Sequence, residues 1–216
     1  MFLDFLQMFE LSQTEIIKMN KKIRTINFLA ICATMLGSPQ LLADPEIEAA
    51  AHAFAEQSVF GWLANPVIVN AIKVQNRQHA SLTQNDIDAL DKQWRAETSG
   101  SSGSLVETIT SNQLSDFLRD IKDGEAGLVT EIFVMDDKGL NVGQSDVTSD
   151  YWQGDEAKWK RTYTAEPNAM FVDEVEMDES TQRFQTQINI AITDPETGKN
   201  IGAVTVGVDA ENLLMQ

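Results

Sequence analysis

"RFQTQINIAITDPETGKNIGAVTVGVD", residues 183 to 209, alternates in its first half with a period of two. Phe184, Thr186, Ile188, Ile190 and Ile192 fall on one side, and Arg183, Gln185, Gln187 and Asn189 fall on the other. That period is the mark of a β-strand with one apolar face. DPETGKN, which follows, has turn chemistry throughout. Ile201 to Val208 then reads as a return strand, with Val204, Val206 and Val208 sharing a face. Two such strands form an antiparallel pair, and their common apolar face needs a second layer to cover it.

Upstream, Glu131 to Asp137 (EIFVMDD) reads as a strand that ends in the turn Asp137-Lys138-Gly139, with Leu140 to Gln144 as its return partner. Ala169 to Met177 is a third strand candidate, which brings the count to five. Ahead of the strands the period is helical. Asp44-Pro45-Glu46 is an N-terminal helix signal, followed by Ile47, Ala50, Ala51, Phe54, Val59 and Trp62 at roughly helical spacing. Asn65-Pro66 restarts the pattern through Val67, Ile68, Ala71, Ile72 and Val74. A third piece opens at Thr83 with Asp86 three residues on, a capping-box pattern, and carries Ile87, Leu90 and Trp94. TSGSSGS, residues 98 to 104, is a flexible connector by composition, joining the helical arm to a compact domain or forming a loop inside one domain. Leu114, Phe117, Leu118 and Ile121 make one stripe of a helix opened by Ser111 or Asn112. Helices followed by five short strands predict an α+β fold with one sheet.

The first 43 residues differ in kind. From Met19, a second plausible initiator, Lys21, Lys22 and Arg24 precede a short apolar run from Ile26 to Leu36, and Leu41-Leu42-Ala43 forms a cleavage-like end. The run is far short of the roughly 20 residues that a membrane-spanning helix needs, so a signal peptide cut near Ala43 is expected rather than an anchor. Cys32 lies within it, and Ile31 before that cysteine argues against a lipoprotein. The mature chain then has no cysteine, which fits a bacterial periplasm. Four of the 16 basic and three of the 33 acidic residues fall in 1 to 43, which leaves a net charge of −18. Such a surface repels phosphate backbones and anionic headgroups, so neither nucleic acid nor membrane insertion of the mature chain is expected.

Catalytic and cofactor motifs are missing. His52 and His79 have no metal-like neighbours at suitable spacing, and no nucleophile elbow, P-loop or dinucleotide fingerprint occurs. DDKGLNVGQSD lacks the spacing and final glutamate of a calcium loop. No enzyme activity and no cofactor are expected.

TSDYWQGDEAKW, residues 148 to 159, joins the second and third strands with three acidic and three aromatic residues. Its composition suits a ligand gate, a metal loop or a helix with a wet face. Together, EIFVMDDKGLNVGQSDVTSDYWQGDEAKW and ITDPETGKNIGAVTVGVD resemble the extracytoplasmic Cache sensor domains, the PAS-like family also called PDC. The likeness covers Ser111 to Asn212. It implies a five-stranded antiparallel PAS-like sheet with a long N-terminal helical arm packed on one face. The other face, closed by the connection between the second and third strands, usually holds a small molecule in that family, and this places Thr148 to Tyr163 over the pocket. Residues 44 to 104 are then arm and connector, and 105 to 216 a single sensor domain.

Within that reading Tyr151, Trp152, Trp159 and Tyr163 offer flat apolar area with polar handles, or else cap the sheet as core. Trp152 and Trp159 share a face if everything between them is helical, which Gly154 opposes. The resemblance carries the family's pocket tryptophan to Trp159. Ala157 and Lys160 stand where the amino-acid-binding subset has arginine and tyrosine, which puts a free amino acid in doubt. Asp173 could meet an amine or water. Among Lys158, Lys160 and Arg161, one pointing inward favours a carboxylate ligand. Arg161 is taken as a site residue with Asp173, Gln185 and Gln187. The expectation is a stand-alone periplasmic sensor module that binds a small molecule and signals to a membrane-bound protein or a second copy. The alternative is a ligand-free accessory subunit whose pocket is filled by its own aromatics.

Overall fold

The computed structural model describes residues 44–100, 103–178 and 183–216. The expected leader, with its cleavage near Ala43, lies outside the described residues, which belong to one compact unit.

Local chemistry starts the helices where the sequence places them. Asp44 caps α1 (Pro45–Phe54) by accepting from the Glu46 amide at 3.0 Å. Asn65 caps α3 (Pro66–Gln78) by accepting from Val67 at 2.9 Å. In both, proline fills the first turn, where its missing N–H costs nothing. A π-helical turn, Ala55–Val59, and the short α2 (Phe60–Leu63) lie between them. Phe54 and Val59, five apart, are both buried, a spacing that the wider turn brings to one side. Thr83 and Asp86 close a reciprocal capping box on α4 (Gln84–Ser99). An element with no sequence signal, α5 (Ser104–Thr110), follows. The Glu97 carboxylate of α4 caps it, accepting from the Leu105 and Val106 amides at 2.9 Å each. Of the two caps considered for α6 (Gln113–Gly124), Asn112 is the one used, its side chain accepting from Ser115.

The strands are β1 (Val129–Met135), β2 (Asn141–Gln144), β3 (Met170–Val172), β4 (Glu176–Asp178), β5 (Arg183–Thr193) and β6 (Asn200–Asp209), with the one-turn helices α7 (Ala157–Lys160) before β3 and α8 (Ala210–Leu213) at the end. The third strand expected over Ala169 to Met177 is interrupted at Asp173 to Val175, so β3 and β4 pair in turn with β5. The sheet is antiparallel, in the order β2-β1-β6-β5-β3. The turn after β1 closes at Gly139, whose φ of 81° favours glycine.

On one face, Ile132, Val134, Ile188, Ile190, Ile192, Val204, Val206 and Val208 form a core with Ile47, Phe54, Ile68 and Ile72 of the arm and with Leu114 and Leu118 of α6. This is the α+β fold expected, with the arm on one face. Helices α4 and α5 instead build a side cluster, in which Ile87, Trp94, Val106 and Ile109 pack with Leu140 and Tyr151. Strand order dictates what covers the remaining face. Because β2 and β3 lie at opposite edges, the chain between them has to cross the whole sheet.

Candidate functional site

The crossing segment has two halves with different partners. Thr148, Tyr151 and Gln153 of the first half are buried. Tyr151 stacks on Trp94 with ring centroids 5.5 Å apart, and the Trp94 Nε1–H donates to the Thr148 carbonyl at 2.9 Å. Asp91 of α4 accepts from the Tyr151 and Trp152 amides at 2.9 and 3.1 Å, and Arg95 bridges Asp91 to Asp150. The Trp152 Nε1–H donates to the Lys138 carbonyl at 2.9 Å, and its main chain bridges to Leu140. Burial, and next the Asp136 carboxylate, push the Tyr151 hydroxyl pKa up. This half is clasped into the side cluster.

The second half lies over the sheet. The Trp159 Nε1–H donates to the Asp136 carbonyl at 3.1 Å, and its ring stacks on Tyr163 at 4.8 Å. Both rings pack on Phe133, Met135 and Ala203. Only Ala157–Lys160 is helical here, so Trp152 and Trp159 share no helix face. Lys158 reaches inward: its side chain is 13% exposed, its Nζ lies 5.5 Å from the Phe133 ring centre and 3.0 Å from the Glu156 carboxylate. Arg161 stays exposed, with its guanidinium 3.7 Å from the Phe171 ring centre.

Asp136, itself fully buried, ties this roof to the arm. One carboxylate oxygen accepts from the Lys138 and Leu140 amides at 2.9 Å each. The other accepts from Gln75 Nε2 at 3.0 Å and lies 2.8 Å from His79 Nδ1. Its neighbour Asp137 has its pKa raised, first by burial and then by Asp136, and Tyr163 is raised by burial and by both aspartates.

The floor is polar where β5 and β6 turn their second face upward. Thr205 donates to Asn189 Oδ1 at 2.7 Å, Gln187 donates to Glu131 at 2.9 Å, and Thr130 donates to Gln185 at 3.1 Å. Gly207 is required here, because a β-carbon would fall 2.6 Å from the Glu131 side chain and 2.7 Å from Thr130 Oγ1. Between floor and roof lies a hollow of about 180 Å³ lined by Glu156, Lys158, Asp173, Glu174, Glu176 and residues 185 to 187. Drug-sized pockets run to roughly 300–1,000 Å³, so this one suits a small guest. Its lining carries four carboxylates and one ammonium.

Of the residues singled out in the sequence, Asp173, Gln185 and Gln187 line the hollow. Trp159, Tyr163 and Arg161 belong to the adjoining roof, and Tyr151 and Trp152 to the side cluster. Lys158 was only one of three basic candidates in the sequence, and Glu156, Glu174 and Glu176 carried no signal among 33 acidic residues. A larger groove of about 480 Å³ lies away from this face, between α3, the start of α6 and β2, with no charged residue in its lining. Among the described residues, no group of three or more His, Cys, Asp or Glu is placed to hold a metal ion, and no helix is long and apolar enough to cross a membrane.

No family model and no curated protein matches the chain. Solved structures similar to it include the sensor domain of Escherichia coli DcuS, at 11% identity and a TM-score of 0.44 over 80% of this chain and 97% of that one. The sensory domain of the Campylobacter jejuni chemoreceptor Tlp3 matches at 12% and 0.38, over 79% of this chain and 66% of that one. The extracellular domain of a protein assigned as the histidine kinase rpHK1S-Z16 matches at 14% and 0.39, over 60% and 50%, so the chain spans half of that domain. Two of these are named as sensory domains. With TM-scores below 0.5 the superpositions are loose, and function rests on the chemistry of the site.

Proposed function

We propose that this protein is an extracytoplasmic, Cache-type sensor module that holds a small molecule in the hollow between α7 and β5 and signals through its helical arm to a membrane-bound protein or a second copy. Residues 44 to 104 act as the arm and 105 to 216 as the sensing part. The observation that carries the reading is a polar hollow on the crossed face of a sheet whose other face, from Ile188 to Ile192 and from Val204 to Val208, is occupied by core.

Charge then selects the ligand. A carboxylate was the class favoured if a cation pointed inward, and Lys158 does so, but Glu156 already holds it at 3.0 Å. An incoming carboxylate would compete with Glu156 and face Asp173, Glu174 and Glu176 as well. A protonated amine meets those three carboxylates and the amide oxygens of Gln185 and Gln187 instead. The ligand class proposed is therefore a small primary amine, with any carboxylate of its own directed to Lys158.

One observation favours the accessory-subunit alternative: Trp159 and Tyr163 fill the half of the roofed face above Phe133 and Met135. A thermal-shift panel of small amines, amino acids and carboxylates separates the two. Binding at a hundred times the dissociation constant stabilises by about 2.7 kcal/mol, so amines should raise Tm by several degrees in the native protein and not in Asp173→Asn. Stabilisation by carboxylates alone would refute the amine class. A flat response across the panel would leave the ligand-free subunit.

A further inference from the structure

Strand β4 marks the end of the sheet. It pairs with β5 alone, matching Glu176 to Gln185, Met177 to Phe184 and Asp178 to Arg183. Its outer edge thus has no strand beside it among the described residues. Met177 and Phe184 oppose each other on the side away from Glu176 and Gln185, and they are 52% and 49% exposed, with Val175 at 36%. Along β5, Ile188, Ile190 and Ile192 are covered by helices, whereas Phe184 lies outside that core. An exposed apolar pair on an unprotected edge invites another strand, and folded proteins ordinarily blunt such edges.

The segment that carries this edge has charge of one sign. VDEVEMDES, residues 172 to 180, holds five acidic residues and no basic one. Arg183, the cation on the adjoining strand, is held by Asp209 at 3.0 Å. We infer that β4 receives an extended segment of a basic partner protein, added as a further strand with lysine or arginine alternating with apolar residues. Its apolar side chains would cover Met177 and Phe184, and its cations would meet Glu176 on the opposite side, a pairing of main-chain bonds with alternate side chains. A second copy of this chain fits poorly, because it brings the same five acids to the same edge on a molecule of net charge −17. The surface is small, so the contact belongs with weak, exchanging interfaces. The free main-chain edge and the Met177–Phe184 pair do not depend on what the hollow holds, but Glu176 also lines the hollow, so the titration is run without added amine.

The probe is a fluorescent eight-residue peptide of alternating valine and lysine, titrated into the full chain and followed by anisotropy. Saturable binding is expected that weakens as salt rises, with amide exchange slowed at Glu176 to Asp178. The same peptide with glutamate in place of lysine should not bind. Met177→Ser, which removes only an exposed side chain, should weaken binding about tenfold, and Glu176→Gln should weaken it and flatten its salt dependence. Absent binding, or binding that neither variant changes, overturns the proposal. Sedimentation showing a dimer that Met177→Ser dissolves overturns it in favour of a second copy.

Discussion

On the helix side of the sheet, Ile188, Ile190 and Ile192 of β5 and Val204, Val206 and Val208 of β6 are at most 1% exposed and belong to one apolar core. On the roofed side, one position along the same strands, Asn189 and Thr205 are just as deeply buried, yet they bond to each other. At these central positions, therefore, the two faces do not differ in how much water they exclude. They differ in what stabilises them: dispersion and transfer of apolar area on one, satisfied polar pairs on the other, where each group depends on its partner.

That contrast can be broken by experiment. Ile190→Ala, on the helix side, should cost about 2–5 kcal/mol in denaturant unfolding; a loss below 1 would mean that the aliphatic face is not close-packed. Thr205→Val keeps the volume but strands Asn189 Oδ1, and should cost about 1–3 kcal/mol. If Thr205→Val proved neutral, water must reach Asn189 and the roof would not seal. The smallest effect belongs to Asp137, beside the roof. Burial and Asp136 raise its pKa above the ordinary aspartate value of 3.8, and one of its oxygens is buried without a partner. The folded protein thus holds this proton more tightly than the unfolded chain does. Its contribution favours folding at low pH and is lost as pH rises through the raised value. Asp137→Asn should therefore raise Tm modestly at pH 7, with the gain shrinking as pH falls toward 3.8; a gain independent of pH would assign the effect to something other than ionisation.

What was legible in the sequence follows the range of the interactions involved. The helix starts at Asp44, Asn65 and Thr83 were readable because each cap bonds within three residues, whereas at the start of α6 the sequence left Ser111 and Asn112 as equal candidates. The alternation of β5 identified the aliphatic face, and by elimination put Gln185 and Gln187 on the other. The fate of Tyr151 and Trp152 was hidden, because Asp91 and Trp94, more than fifty residues away, decide it. Helix α5 escaped notice for a related reason: the group that caps its first amides is Glu97, on the far side of the connector. Lys158 could not be told from Lys160 and Arg161, since which of them turns inward depends on how the crossing chain settles over Phe133.

Asp136 serves two masters through different atoms. Its carbonyl anchors the Trp159 indole, and its carboxylate grips Gln75 and His79 at the end of α3. Under the proposed reading, a guest that shifts α7 would pull through Trp159 on a residue that the arm already grasps, and the helices would feel occupancy without touching the guest.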